Sequence, residues 1–300
     1  MKLKKEKNFI HLYQKKKMRS EDIQKEIQNI QENIINKKDQ RALRQNFDKE
    51  SLKKKNFILT EGAWNRLNEI YNYIKLGINL IIEGQTGTSK TFSVETICEQ
   101  ILEDQKKIKS KNTRKIKGIL KFSLSQDTKS SDLLGSFVGD GDSLSGLKFV
   151  KGKFVKAYEE GYWLLLDEIN LASKEVLQSI EDAIDNQVLS LQINGKVTDI
   201  PMDPNFWLIA TQNPNKGKFV GKRQDLGLKF LSKFVIIEFP ELTQEELKEI
   251  AKGLADGFGY YNEKYDEREK IIDDLVSFHF EWSKNKLIED DIQCFTIREI

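Results

Sequence analysis

The chain has 300 residues, 38% of them hydrophobic and 32% charged, with a formal net charge of +2. A chain of this kind can bury enough apolar surface to fold without disulfide or metal staples. Its two cysteines, Cys98 and Cys294, are far apart and lack metal-ligand spacing, and His11 and His279 are its only histidines, so a zinc site or a histidine-based triad is not expected. No apolar run approaches the ~20 residues that span a bilayer, and the N-terminus is too polar for a secretory signal, so the expectation is an intracellular protein, cytosolic or nuclear, with no membrane partner.

Residues 1–55 form the first segment. They hold 17 Lys and Arg against 8 Asp and Glu, a net of +9 that leaves −7 for the remainder. Ile23, Ile27, Ile30 and Ile34 recur at helical spacing among polar residues. The segment reads as a basic arm, either one thinly apolar helix that pairs with a partner or a solvated, disordered stretch. The runs Lys15-Lys16-Lys17 and Lys53-Lys54-Lys55 are able to touch nucleic-acid phosphates, but no aromatic residues interleave with them, which makes that the weaker option.

From about residue 57 helices alternate with short apolar runs. Trp64, Leu67, Ile70, Tyr71 and Ile74 predict a helix over 61–76. Apolar runs follow at 78–82, 118–123, 162–166, 206–210 and 234–239. Runs of this length separated by helices are what a parallel sheet covered on both faces requires. The expected architecture is an α/β domain over 56–240, with a five-stranded parallel sheet and helices on both faces. A small helical domain is expected over 241–300, opening with a capping-box-like start at Leu242-Thr243-Gln244-Glu245-Glu246.

The first motif sits between the first apolar run and a helical stretch. Gly84, Gln85, Thr86, Gly87, Thr88, Ser89, Lys90 and Thr91 match the phosphate-loop pattern G-x-x-x-x-G-K-[ST] at Gly84, Lys90 and Thr91. In such a loop, backbone amides and the helix N-terminus surround the phosphates of ATP, the lysine reaches the β- and γ-phosphates, and the threonine hydroxyl ligates Mg²⁺. Ser89 departs from the pattern, because glycine is usual there. A positive φ at that position costs a residue with a Cβ on the order of 1 kcal/mol. A glycine-rich turn without a ligand is the plainer alternative.

The run Trp163-Leu164-Leu165-Leu166 delivers Asp167 and Glu168 at its end. That is where open α/β sheets bind ligands. Asp167 is expected to hold Mg²⁺, directly or through water, and Glu168 to orient the attacking water. Both residues also suit a helix start. A further apolar run ends in Thr211-Gln212-Asn213-Pro214, where Asn213 can contact the γ-phosphate or the attacking water, and where Asn-Pro is also a turn dipeptide.

These motifs together resemble the AAA+ ATPases of the midasin and dynein-related kind, relatives of the MoxR-type ATPases. The resemblance rests on the run from Gly161 through Asp167-Glu168-Ile169-Asn170 to Leu171 and Ala172, and on Ala210-Thr211-Gln212-Asn213-Pro214. The stretch 132–157 resembles the one that carries this family's hairpin inserted in helix 2. The resemblance covers roughly 57–300. It implies Lys90 and Thr91 as Walker A, Asp167 and Glu168 as Walker B, Asn213 as sensor 1, and Arg298 as sensor 2 on the small helical domain. Arg298 also reads as an exposed helix arginine.

The resemblance further implies a basic finger residue before the phenylalanine at the last strand of the large domain, acting on a neighbouring module's nucleotide. Ser232-Lys233-Phe234 stands there, so lysine replaces arginine and lacks its planar fork. Arg223 is a nearby alternative that also reads as a solvated loop charge. The chain ends soon after Arg298, where a small domain of this kind would continue, so the expectation is a fragment or one module of a larger protein.

The expected function is an ATP-binding, ATP-hydrolysing AAA+ module that joins other such modules in a ring and remodels a macromolecular complex. In midasins the complex is a ribosome precursor, which would place the chain in the nucleus. The alternatives are a scaffold module that holds ATP with little hydrolysis, as Ser89 and Lys233 suggest, and a protein that works by binding a partner through its basic arm.

Overall fold

The helix expected over 61–76 forms over the same span. The computed structural model describes residues 58–107, 116–141, 146–193, 195–214, 226–257 and 265–284. Helix α1 (Glu61–Leu76) starts on Thr60, whose hydroxyl accepts from the Ala63 amide at 3.0 Å. It stops at Gly77, which is left-handed with φ 64° and donates to the Ile74 carbonyl at 3.0 Å. The basic arm, Arg223 and Arg298 lie outside the described residues.

The chain continues through β1 (Leu80–Gly84), α2 (Lys90–Lys107), β2 (Ile119–Ser123), α3 (Ser130–Leu134), β3 (Gly135–Gly139), β4 (Leu147–Lys151), α4 (Lys153–Glu160) and β5 (Trp163–Asp167). A single 3₁₀ turn (Ile169–Leu171) precedes α5 (Lys174–Asn186). Then come β6 (Val188–Ile193), β7 (Lys196–Pro201), β8 (Trp207–Gln212), α6 (Leu228–Leu231), β9 (Val235–Phe239), α7 (Gln244–Gly257) and α8 (Tyr265–Lys284).

The five apolar runs become one sheet in the order β2-β5-β8-β1-β9, with every pairing parallel. Its three central strands, β5, β8 and β1, are buried on both faces because successive side chains feed two different cores. Leu80, Ile82, Leu165 and Ile209 pack with Leu67 and Ile70 of α1 and with Val94 and Ile97 of α2. Ile81, Leu164, Leu166, Leu208 and Ala210 pack with Phe154 and Tyr158 of α4 and with Val176 and Ile180 of α5. Each fully buried aliphatic side chain of this kind contributes roughly 2 kcal/mol. The Tyr158 hydroxyl donates to the Ala183 carbonyl at 2.8 Å, which satisfies the one polar atom of a side chain otherwise sealed in the second core.

Two antiparallel hairpins stand apart from the sheet. The β3–β4 hairpin lies within 132–157 and follows directly on α3. The β6–β7 hairpin was not expected from the sequence. Its signal was the dipeptide Asn194-Gly195 between two alternating runs, a turn that favours left-handed backbone, and Gly195 has φ 74°.

Leu247, Ile272 and Val276 form a separate apolar cluster between α7 and α8. Helix α7 begins with a reciprocal cap: the Glu246 amide donates to the Thr243 hydroxyl at 3.1 Å, and the Thr243 amide donates to Glu246 Oε2 at 3.2 Å. The other carboxylate oxygen, Oε1, accepts from the Thr60 hydroxyl at 3.2 Å and from Arg66 at 3.3 Å, tying α7 to the start of α1. Gly62 leaves room for that contact: a Cβ there would lie 2.0 Å from Glu246 Oε1 and would push the carboxylate aside. Among the described residues no helix is long and apolar enough to cross a membrane.

Candidate functional site

The three central strands β5, β8 and β1 end together at the middle of the sheet's C-terminal edge, and each delivers polar groups. The turn after β1 carries residues 84–89 into α2. Gly84 must be glycine, since a Cβ would lie 2.5 Å from the Phe239 carbonyl oxygen of the adjacent strand. The Thr88 hydroxyl donates back to the Gln85 carbonyl at 2.9 Å and closes the loop. Ser89 does take the left-handed conformation, with φ 61°, as the sequence reading feared.

Lys90 opens α2 and is 8% exposed. Its ammonium donates to the Gly84 carbonyl, the Gln85 carbonyl and Asn213 Oδ1, each at 2.8 Å. Its head therefore sits among three neutral oxygens of the loop and of β8's extension. Those three contacts hold the ammonium against the loop and against the extension of β8.

Strand β5 places Asp167 beside Thr91 and Thr211. The Thr91 hydroxyl lies 3.4 Å from Asp167 Oδ1 and 3.5 Å from Oδ2. The Thr211 hydroxyl donates to Asp167 Oδ1 and also accepts from the Glu168 amide at 3.3 Å. Glu168 does not follow the alternative reading of a side-chain helix cap. It precedes the 3₁₀ turn in left-handed backbone, φ 56° and ψ 50°, and its side chain makes no capping hydrogen bond. Instead Glu168 Oε1 accepts from Asn213 Nδ2 at 3.0 Å. Such a non-glycine left-handed residue costs roughly 1–3 kcal/mol and persists because the surroundings over-determine it.

The structure thus brings Lys90, Thr91, Asp167, Glu168 and Asn213 into one hydrogen-bonded group. Two further residues join it that the sequence reading gave no role. Thr211 bridges Asp167 and the Glu168 backbone, and Asn170 donates from Nδ2 to the Asn213 carbonyl at 2.8 Å. The signal for Asn170 was a polar residue between Ile169 and Leu171, where an apolar run of the second core would otherwise continue.

The residues fit a magnesium ion. Mg²⁺ takes one or two protein oxygens and fills its octahedron with phosphate oxygens and waters. The Thr91 hydroxyl and the Asp167 carboxylate are such a pair, and among the described residues no group of three His, Cys, Asp or Glu offers an all-protein cage.

Lys233 is not in this group. It precedes β9, and Val235 pairs with Leu80 at the start of β1, so Lys233 sits at the sheet end opposite the loop. There its ammonium pairs with Asp185 of α5, while Lys229 pairs with Glu181 one turn earlier. The hydrogen bond it donates to Glu181 holds the Lys229 ammonium above its usual pKa.

The chain is similar to known proteins over this region. A midasin from Giardia intestinalis is 29% identical over 206 residues, 68% of this chain and 4% of that protein. A midasin from Dictyostelium discoideum is 28% identical over 212 residues, 70% of this chain and 3% of that protein. The Bacillus subtilis protein YojN, itself uncharacterised, is 28% identical over 179 residues, 59% of this chain and 52% of YojN. The chain therefore spans only a small part of the two midasins and about half of the bacterial relative. The family model described as AAA domain (dynein-related subfamily) matches residues 79–234, from the strand before the phosphate loop to Phe234, and the chain belongs to that AAA+ family.

Proposed function

We propose that this chain binds Mg·ATP at the Lys90–Asp167–Asn213 site and hydrolyses it as one module of a ring. The observation that carries the reading is the single hydrogen-bonded chain from Lys90 through Asn213 to Glu168, with the Thr91–Asp167 pair beside it. Phosphoryl transfer asks a protein mainly for positioning and charge stabilisation, and these residues are of the types that supply both.

In this reading Lys90 turns from the Gly84 and Gln85 carbonyls to the β- and γ-phosphates. The amides of 85–91 cradle the β-phosphate at the N-terminus of α2. Thr91 and Asp167 would hold a bound Mg²⁺, which would supply charge neutralisation to the phosphates. Asn213 loses its Lys90 partner to the nucleotide and turns its amide to the γ-phosphate, which frees Glu168 to orient the attacking water. Lys233, at the far end of the sheet, serves the nucleotide of an adjacent module, as Arg298 is proposed to serve this one.

The test measures ATP binding and turnover for wild type, Lys90→Ala and Glu168→Gln, with assembly size recorded under each nucleotide. Turnover that rises on assembly, lost in Glu168→Gln with ATP still bound, supports the reading. ATP affinity retained in Lys90→Ala overturns the site. Binding without turnover at every size points to the second reading, a nucleotide-holding scaffold, which the strained Ser89 and the Asp185-paired Lys233 favour. Remodelling of a macromolecular complex such as a ribosome precursor is the further proposal that the midasin likeness carries. Its test is whether the Glu168→Gln chain, with ATP, is retained on such particles.

A further inference from the structure

We infer that Asn170 is a positioning residue for this site: its amide fixes the backbone of Asn213, and through it the Asn213 side chain that bridges Lys90 and Glu168. The inference rests on the nucleotide-site reading and adds to it a residue outside the phosphate loop, the acidic pair and the asparagine itself.

Asn213 lies just beyond the sheet. The β1–β8 ladder ends at the Glu83–Gln212 pair, so strand pairing does not hold it. Pro214 follows, which constrains Asn213 to extended backbone but offers no N–H of its own. Its orientation comes from three side chains. Lys90 donates to its Oδ1 at 2.8 Å, its Nδ2 donates to Glu168 at 3.0 Å, and Asn170 donates to its carbonyl at 2.8 Å. A nucleotide that engages Lys90 and the Asn213 amide disturbs the first two. The Asn170 contact is to the backbone, so it is the one that survives that exchange.

The Asn170 side chain is suited to this and poorly suited to simple packing. The residue is 4% exposed, on a turn whose other members, Ile169 and Leu171, are apolar. Its amide cannot be reversed, because Oδ1 and the Asn213 carbonyl are both acceptors. In the orientation that works, Oδ1 is buried with no partner among the described residues. A buried amide that leaves one of its two ends unsatisfied is a costly way to fill space, and an aliphatic side chain would fill it without that cost. The same turn begins at Glu168, whose left-handed backbone sets where both Glu168 and Asn170 meet Asn213. The turn therefore holds Asn213 by its side chain and by its carbonyl at once.

The test reads nucleotide discrimination and does not depend on turnover. Affinities for Mg·ATP and Mg·ADP are measured on the full chain in the Glu168→Gln background, adding Asn170→Ala, Asn170→Asp, Asn213→Ala and the Asn170→Ala/Asn213→Ala pair. Asn213→Ala is expected to cost about tenfold of the preference for ATP over ADP, the range for one hydrogen bond to a charged group. Asn170→Ala is expected to cost at least threefold of that preference while ADP affinity stays within twofold, which also certifies the fold. Asn170→Asp keeps the shape and loses the donor, so it should match or exceed that loss; it carries the test should Asn170→Ala fail to fold.

In the pair, Asn170→Ala should add nothing to Asn213→Ala, because the effect runs through that side chain. Unchanged discrimination in both Asn170 variants overturns the inference and leaves the nucleotide site standing. Full additivity in the pair overturns it as well. Unchanged discrimination in Asn213→Ala removes the group through which Asn170 would act, and with ATP affinity also retained in Lys90→Ala the nucleotide site falls too.

Discussion

Each end of the central sheet holds a sheltered lysine, and the two are treated in opposite ways. Lys90, at the C-terminal ends of the strands, is 8% exposed and lies against the Gly84, Gln85 and Asn213 oxygens, which carry no formal charge. Lys233, at the other end, has a side chain 19% exposed and faces the Asp185 carboxylate. On the proposed function, Lys90 turns from these oxygens to an arriving phosphate, whereas Lys233 must first give up its carboxylate partner. On that reading the first lysine would receive a ligand within its own module, and the second would hold its charge until another surface competes for it.

The largest predicted effect separates the two lysines. Lys90→Ala should lower ATP affinity at least a hundredfold, through loss of a charge-assisted contact to phosphate and of the group that anchors Asn213. Lys233→Ala should leave the affinity of its own module within twofold. Calorimetric titration of both variants checks this, and equal losses would erase the distinction between the two ends.

The next effect sharpens the contrast. If Lys233 serves a neighbour's nucleotide, Lys233→Arg should raise turnover about tenfold in an assembled state and leave the unassembled chain unchanged. A guanidinium fork holds two phosphate oxygens where an ammonium holds one, and finger residues are worth 10³–10⁵ in other phosphate-loop enzymes. Turnover measured against protein concentration separates the two states. An increase at low concentration, where no neighbour is present, would move Lys233 out of that role.

A third prediction concerns the core that supports both ends. Burial pushes the Tyr158 hydroxyl up to about 12 from an ordinary value of 10. The folded state therefore keeps its proton more tightly than the unfolded state. Its contribution is fully present below pH 10 and is lost as pH rises from 10 towards 12. Tyr158→Phe removes the bond to the Ala183 carbonyl and should destabilise by about 1 kcal/mol near neutrality. It should also flatten the alkaline loss. Tyr71 is raised to about 12 as well, by burial and then by Asp104, so a residual slope will remain. Denaturant midpoints at pH 8 and pH 11 for the two proteins give both numbers.

What the sequence disclosed follows the range of each interaction. The five strands were legible because runs such as Leu164-Leu165-Leu166 record burial on both faces, a local property. Helix α1 was legible to the residue because its face, its Thr60 cap and its Gly77 stop are all contiguous. The loop and acid-pair residues were legible as motifs whose spacing is fixed by the strands that deliver them. Other contacts carry no local trace. Thr211 meets Asp167 44 positions away, and Asn170 meets Asn213 43 positions away. The pairing of Lys233 with Asp185 needs α5 and the start of β9 to be side by side, which no period or propensity encodes. The β6–β7 hairpin leaves a local trace in Asn194-Gly195, but its two short, half-exposed strands lack the continuous apolar run that marks the buried ones.

Ser89 gives the smallest effect and tests the strain at the ligand-receiving end directly. With φ 61° its Cβ is crowded, at a cost of about 1 kcal/mol or somewhat more. Glycine removes that crowding but loses more freedom on folding, which returns about 0.5–1 kcal/mol. Ser89→Gly should thus gain only a few tenths of a kcal/mol, a rise in Tm of about 1–2 °C for a domain of this size. ATP affinity should improve less than threefold, because the loop already holds the left-handed geometry before nucleotide arrives. A Tm rise of this order with affinity nearly unchanged means that the strain resides in the fold. A tenfold gain in affinity at constant Tm would mean that the serine side chain obstructs the phosphate path itself, and the scaffold reading would gain its physical basis there rather than at Lys233.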